Sequence, residues 1–191
     1  MPRKASRQTT IMQMKSPHYP SVQQDIIALL PRLRRFALGL CGQRDEADDL
    51  VQTACERALR SLDQFQAGTR LDSWLYRIIQ NLHKDARRRY HHRGDPVDPH
   101  NLPEPQGGDH RREMESQQTL AVTLAALEQL SEDQRAALLL TSVEGLSYEE
   151  AAQTLAIPMG TLMSRISRGR QRLYQLVFGK DADTFRSIAG V

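Results

Sequence analysis

A segment rich in proline and glycine, residues 93–118, divides this chain of 191 residues into two parts. Helical spacing of apolar residues is lost across it, and it contains Gly94, Pro96, Pro99, Pro103, Pro105, Gly107 and Gly108. Proline interrupts helices because it lacks a backbone N–H and its ring clashes with the preceding turn. We therefore predict an extended linker, which at about 3.1 Å per residue would reach roughly 75 Å. The chain should form two small domains, flanked by a disordered basic tail at 1–22 and a short tail at 179–191.

The first part, residues 23–92, has apolar residues at helical spacing in three stretches. The first stretch contains Pro31, so that either a helix begins there or a longer helix kinks there. The second stretch, from Ala47 to Leu62, follows the i, i+3, i+4, i+7 pattern without a break. A third helix is predicted from about Leu71 to Tyr90. Aromatic residues are few and strong helix formers abundant, which predicts an all-α fold.

The second part, residues 119–178, also shows only helical spacing. Ser131 with Gln134 and Ser147 with Glu150 have the spacing of capping boxes, which mark the first turns of helices. The short helix that follows the second box leads through a tight turn into a longer final helix. This order is typical of a helix-turn-helix.

The final helix combines an apolar face with a polar, arginine-rich one. The basic residues of the chain are mostly arginine, which suits phosphates and base edges, so that nucleic acid is the predicted partner class. At 100° per residue the outer face and its flanks carry Ser164, Arg165, Ser167, Arg168, Gln171 and Arg172. An ordinary amphipathic helix with a solvated basic face is the alternative. The preceding helix and turn favour a helix that reads a DNA groove, and no acid lies from Gly160 through Phe178 to pair with the arginines locally.

Two further surfaces are candidates for binding. One flank of the third helix carries a row of one aromatic, one amide and three cations, namely Trp74, Arg77, Asn81, Lys84 and Arg88. Such a row suits unpaired nucleic acid, although Trp74 also borders the apolar stripe, and core packing is an alternative for it. The second helix exposes polar residues that suit a protein partner, namely Glu46, Asp48, Asp49, Gln52, Thr53 and Glu56. A solvated face is the alternative there, and Asp45 and Asp48 are also predicted to cap this helix.

Several classes of protein are disfavoured by what the sequence lacks. Cys41 and Cys55 form no CxxC pair, fall on apolar helical positions and are interpreted as small buried hydrophobes, with a redox or metal role as the alternative. The histidines lack ligand spacing with either cysteine, so we expect neither a metal site nor a cofactor. No nucleophile with a base and no phosphate loop indicates an enzyme. With no apolar signal segment and no stretch long enough to span a membrane, a cytoplasmic protein is expected.

Four ordered motifs resemble a known family. They are DEADDLVQ at 45–52, SWLYRIIQN at 73–81, LSYEEAA at 146–152 and PMGTLMSR at 158–165. Together they are similar to the extracytoplasmic-function (ECF) sigma factors of the sigma-70 family, compact factors whose second and fourth sigma domains are joined directly by a linker. The similarity covers residues 24–92 and 119–178.

This resemblance implies a transcription-initiation factor with three kinds of partner. Core RNA polymerase would be gripped at the clamp coiled coil of its largest subunit by Asp48, Asp49, Gln52, Thr53 and Glu56. Promoter DNA would be met at a −10-like element by Phe65, Arg70, Trp74, Arg77, Asn81, Lys84 and Arg88, with an extruded base beside residues 66–71. The −35-like element would lie against the final helix at Ser164, Ser167 and Arg168, with Arg165, Gln171 and Arg172 beside them. An anti-sigma factor is the third expected partner.

Departures and alternatives accompany this interpretation. Met163 and Ser167 stand where some family members carry larger or basic groups, and Thr141 where some carry arginine, which leaves the hexamer that is read undetermined. A sigma-mimicking adaptor that sequesters an anti-sigma factor usually carries an attached α/β receiver domain, for which this chain has neither the length nor the strand pattern. A plain helix-turn-helix regulator would leave the first domain and the linker unexplained.

Overall fold

The computed structural model describes residues 19–65, 69–93 and 110–178, and within these ranges every regular element is a helix. The first domain consists of α1 (Tyr19–Cys41), α2 (Arg44–Arg60) and α3 (Leu71–Arg93), with a 3-10 turn at Leu62–Gln64 after α2. The second domain consists of α4 (His110–Glu128), α5 (Glu132–Leu138), α6 (Tyr148–Leu155) and α7 (Met159–Phe178). A π-helical turn, Leu139–Val143, continues α5. The all-α prediction is confirmed.

The start of the chain differs from the predicted tail, and the structure excludes one of the two alternatives at Pro31. Helix α1 begins at Tyr19, inside the predicted tail, while residues 1–18 lie outside the described ranges. The helix also continues through Pro31, so the alternative in which a helix begins there is wrong. Pro31 is exposed, and solvent can therefore reach the carbonyl of Ile27, which loses its usual backbone donor.

The predicted caps of α2 are wrong. The N-cap residue is Gln43, whose side chain makes no capping hydrogen bond, and Asp45 and Glu46 instead lie in the first turn. Acids in this position are favourable because they face the positive end of the helix dipole. Asp48 lies further along and pairs with Arg34 of α1 at 2.9 Å. Leu59 lies within the apolar stretch that was predicted from Ala47 to Leu62, but it is 42% exposed and therefore does not belong to the buried face of α2.

The predicted linker is too long at its C-terminal end. Helix α4 begins at His110, so residues 110–118 are helical, while residues 94–109 lie outside the described ranges. The prolines of the predicted linker all precede residue 106, and the residues that follow them include several good helix formers. Helical spacing of apolar residues resumes only at Leu120, and for this reason the sequence predicts a linker that extends past the last of these prolines.

The second domain begins its short helices as predicted. Ser131 accepts a hydrogen bond from the backbone of Gln134, and Ser147 from that of Glu150, and both capping boxes are complete. A left-handed residue, Ala156, ends α6 and turns the chain into α7. The two helices that flank this turn are the predicted helix-turn-helix.

The core of the second domain depends on a close approach of two helices. In α7, Leu162 and Ile166 are buried, and Gly169 lies against α5. A Cβ atom at Gly169 would come within 2.8 Å of Leu138 Cδ1, so a larger side chain would force Leu138 out of its present position.

The two domains pack against each other in this structure. One cluster of buried apolar residues includes members of both domains, among them Phe36 and Tyr76 of the first and Leu139 and Leu140 of the second. At the boundary, a Cβ atom at Gly39 would come within 2.6 Å of Leu139 Cδ2, so glycine permits this contact between α1 and the π-helical turn. The chain therefore adopts a closed arrangement.

His83 predicts a pH dependence of stability. It is 4% exposed, and burial lowers its pKa to about 4, with Glu132 opposing the shift and Arg135 and Arg87 adding to it. Because the unfolded chain binds a proton at an ordinary histidine pKa near 6.5 and the folded chain does not, the free energy of unfolding should fall as pH drops from about 6.5 to about 4. Urea unfolding of wild type and His83→Gln across this range measures the effect. If the free energy of unfolding of His83→Gln falls with pH as steeply as that of the wild type, groups other than His83 cause the pH dependence.

Candidate nucleic-acid interface

The outer face of α7 is available to a ligand. Leu162 and Ile166 face the core, and the predicted contact residues on the other side are exposed, namely Ser164, Ser167, Arg168, Gln171 and Arg172. An exposed arginine between small polar side chains can reach base edges in a groove, while arginines at the flank can reach phosphates. The structure thus brings five of the six predicted α7 residues to the surface of one helix.

Arg165 differs from these five residues. It is partly buried, and its Nη2 atom lies 2.6 Å from Oδ2 of Asp133, in the first turn of α5. The final helix contains no acid that could pair with Arg165, and its partner comes from α5, an element distant from it in the chain. Arg165 must release Asp133 or share it before it can contact DNA.

Of the five residues predicted along one flank of α3, three are exposed and two contact other parts of the protein. Arg77, Asn81 and Arg88 are exposed. Trp74 is partly buried against the core, and its ring centroid lies 5.3 Å from that of Phe65, so core packing accounts for part of its surface. Lys84 forms an ion pair with Asp133 of the second domain at 2.8 Å.

Arg70, at the entrance to α3, is held by two acids. Its guanidinium lies 2.7 Å from Asp72 Oδ2 and 2.5 Å from Glu150 Oε1, the latter in α6. The hydrogen bond to Asp72, followed in size by the one to Glu150, raises the pKa of Arg70. Burial tends to raise the pKa of Asp72, but the hydrogen bond from Arg70 helps to lower it below its ordinary value. Residues 66–68, part of the expected base pocket, lie outside the described ranges.

The face of α2 is polar and exposed, as predicted for a protein-binding surface. Asp48, Asp49, Gln52, Thr53 and Glu56 all lie on the outside of the helix. Gln52 donates to Glu56 at 3.2 Å, and Glu56 lies 3.7 Å from Arg60. These two bonds lie within α2, and the pair of Asp48 with Arg34 of α1 is exposed, so the face can meet a partner without disturbing the core.

Sequence reasoning missed the polar residues between the domains. The residues there that were assigned no role are Arg135, which donates to the carbonyl of Leu40, and a hydrogen-bonded network of Glu144, Tyr76, Arg32 and Arg35. One signal was present: Glu144 is an acid set between Leu140 and Leu146, both of which are buried. Charges among buried apolar residues need partners, and such an acid can be recognised from the sequence as one that requires them.

Metal and thiol chemistry receives no support from the described ranges. They contain no group of three or more side chains that could hold a metal ion. Cys41 is a free thiol that donates to the carbonyl of Ala37 at 3.0 Å, and burial raises its pKa to about 12. Cys55 is also free, and burial raises its pKa too, so neither thiol forms a thiolate readily. Among the helices of residues 19–65, 69–93 and 110–178, none combines the length and the hydropathy of a membrane span.

Comparison with known proteins supports the two-domain division. The model of Sigma-70 region 2 matches residues 26–93, and that of Sigma-70 region 4 matches residues 120–173. The ECF RNA polymerase sigma factor EcfG of Rhodopseudomonas palustris is 37% identical over 89% of this chain and 96% of its own length. SigE of Mycolicibacterium smegmatis, an ECF RNA polymerase sigma factor, is 38% identical over 82% of this chain and 61% of its own length. Among solved structures, the sigma factor RpoE of Bartonella quintana, in complex with the anti-sigma factor NepR, superimposes with a TM-score of 0.68 at 33% identity, covering 82% of this chain and 96% of that one.

Proposed function

The chain belongs to the ECF sigma factors of the sigma-70 family, and from this premise we propose that it recruits core RNA polymerase to a promoter read at two places. One observation supports the proposal above all. Each of the two matched sigma-70 regions corresponds to one helical domain, and each domain has its own polar or cationic face. This function places the chain with the polymerase in the cytoplasm. It requires binding and strand separation, and no covalent chemistry.

The first domain would bind both the polymerase and the −10-like element. The exposed acids and amides of α2 support a contact with the clamp coiled coil, since they form a continuous polar face. Arg77, Asn81 and Arg88 of α3 offer cations and an amide on one exposed flank, which suits an unpaired strand. Capture of unstacked bases would favour melting of the duplex.

The second domain would read the −35-like element through the exposed face of α7. Control by an anti-sigma factor is part of the proposal, because RpoE of Bartonella quintana, which is similar over most of both chains, was solved with one bound.

The proposal is tested by transcription in vitro with purified core polymerase, scored for promoter-specific initiation. We expect specific transcripts with the chain and none with core alone. A chain that forms no complex with core by gel filtration at micromolar concentrations would contradict the proposal. Binding to an anti-sigma factor without binding to core would favour the sigma-mimicking adaptor instead.

Two arginines of α7 separate base reading from phosphate binding. Arg168→Ala should weaken the binding free energy for the preferred −35-like element by about 1 to 3 kcal/mol, because a base-edge contact is lost. The difference in affinity between this element and a scrambled sequence should therefore become smaller. Arg172→Ala should weaken binding to both sequences equally and reduce the salt slope by about one unit, because a phosphate contact acts through counterion release.

Titrations of the holoenzyme with both duplexes at several salt concentrations measure the two effects. Arg172→Ala serves as the matched control, since both arginines are exposed on the same helix. If Arg168→Ala leaves the ratio between preferred and scrambled sequences unchanged, specificity comes from other residues or from DNA shape.

A further inference from the structure

Asp133, in the first turn of α5, is an acid that contacts the final helix of its own domain. Its Oδ2 atom lies 2.6 Å from Nη2 of Arg165 in α7, and its Oδ1 atom lies 2.8 Å from Nζ of Lys84 in α3. The side chains of Asp133 and Arg165 are 37% and 23% exposed. Because the pair with Arg165 joins two helices of the second domain, it does not depend on how the two domains are arranged.

Packing of α5 against α7 fixes the position of this pair. One turn after Arg165, a Cβ atom at Gly169 would come within 3.4 Å of the Cβ atom of Gln134, the residue that follows Asp133. This close approach of the helices lets a side chain as short as aspartate reach the guanidinium. Burial tends to raise the pKa of Asp133, but Lys84 and Arg165 lower it below its ordinary value, so the group is a carboxylate at neutral pH.

Arg165 stands at the border between the buried and the exposed face of α7. It precedes the buried Ile166 by one residue and the exposed Arg168 by three, so it lies on the same side of the helix as Arg168. A guanidinium has five N–H donors in a fixed planar fork, and the contact of Nη2 with Asp133 leaves donors for a base edge or a phosphate. Arg165 can therefore share Asp133 with DNA and need not release it.

An acid beside an arginine that contacts DNA affects binding in two ways. It holds the guanidinium in one orientation before DNA arrives, which reduces the conformational entropy lost when that orientation meets a base edge. Its charge also offsets that of the arginine, which weakens binding wherever the phosphate backbone alone is contacted. Both effects favour DNA whose bases the oriented arginine can contact. A partly exposed ion pair contributes little to folding, so its main effect here should be on binding.

We propose that Asp133 is a positioning residue for DNA recognition, which orients Arg165 toward base edges of the −35-like element and disfavours its contact with phosphates. The inference deepens the promoter-binding function proposed above and rests on it. Without the acid, the chain should distinguish less well between its preferred sequence and others.

The test compares Asp133→Asn with Glu132→Gln in holoenzyme assembled from the full chain and core polymerase. Both changes remove one charge from the first turn of α5, and both remove an ion pair with α3, since Glu132 pairs with Arg87 at 2.9 Å. Of these two acids, only Asp133 pairs with α7 in the part of the chain that the structure describes. A general effect of charge, or of the contact between the domains, would therefore appear in both variants.

Two DNA duplexes are titrated at several salt concentrations: one that the wild-type holoenzyme enriches from a random-sequence pool, and the same duplex with its −35-like bases scrambled. In Asp133→Asn, affinity for the enriched duplex should fall about threefold and affinity for the scrambled duplex should rise about threefold, so that their ratio falls about tenfold. The salt slope on the scrambled duplex should increase by about one unit, because Arg165 becomes free to neutralise a phosphate. Glu132→Gln should keep the wild-type ratio.

A double variant shows whether Asp133 acts through Arg165. In an Arg165→Ala background, Asp133→Asn should change the ratio no further, because the group that it positions is absent. The inference is overturned by a wild-type ratio in Asp133→Asn, by an equal change in affinity for both duplexes, or by the same tenfold fall in the Arg165→Ala background.

Should Asp133→Asn lose its helical circular dichroism, Asp133→Glu decides the matter, because it keeps the charge and lengthens the side chain by one methylene. Affinity for the enriched duplex should then fall about threefold with an unchanged salt slope. Wild-type affinity in that variant would also overturn the inference. Failure of the proposed function is distinct, since the wild-type chain would then give no promoter-specific transcripts with core polymerase.

Discussion

Replacing Leu162 by alanine is expected to lower the free energy of unfolding by about 2 to 5 kcal/mol. Leu162 is fully buried in the first turn of α7, so the smaller side chain leaves a cavity and loses apolar contacts. This turn positions the outer face of the helix. Under conditions in which the variant's second domain is partly unfolded, its affinity for the −35-like element should therefore fall.

Met163→Ala is the matched control for this prediction. Met163 is the next residue of the same helix and is 53% exposed, so its truncation should change stability by no more than about 0.5 kcal/mol. Urea unfolding followed by circular dichroism measures both variants. Equal losses in the two would mean that α7 is not packed as described.

Reversing the charge of Asp49 is expected to weaken the complex with core polymerase by about 2 to 5 kcal/mol, on the order of 30-fold or more. The reason is that Asp49→Lys removes an acid from the polar face of α2 and places a cation against groups that complement an acid. Asp49 is exposed, so folding should be nearly unaffected.

A fluorescence titration with purified core polymerase measures this change, and Asp63→Lys provides the control. Asp63 is an exposed acid in the 3-10 turn after α2, outside the predicted docking face. It gives the same change of net charge, so a general electrostatic effect would appear in both variants. Wild-type affinity in Asp49→Lys would place the polymerase contact elsewhere on the chain.

The elements of the fold followed from local patterns. Helical spacing of apolar residues located the helices of both domains, and the two capping boxes marked the starts of α5 and α6 because their hydrogen bonds lie within four residues of sequence. The exposed face of α7 also follows from 100° per residue once Leu162 and Ile166 define the buried side. The predicted starts of α1 and α4 were less accurate, because these helices begin at Tyr19 and His110, before the regular apolar spacing starts.

The exposed residues of the candidate site could be predicted from the sequence, but the ion pairs that some of them form could not. Arg165, Lys84 and Arg70 were recognised as cations for nucleic acid, and nothing in their neighbourhood along the chain indicated Asp133 or Glu150 as partners. Lys84 and Asp133 are far apart in sequence, and only packing of the domains brings them within 2.8 Å.

Local patterns in the sequence predicted the helices, the capping boxes of α5 and α6 and the exposed face of α7, because these depend on the spacing of residues within a few turns. The tertiary structure alone decided that the two domains close on Glu144 and Arg135, and so which cations are covered. The physical reason is that a buried charge selects its partners by position in space and must find them wherever the chain supplies them. For Glu144 they are Arg32, Arg35 and Tyr76, all in the other domain.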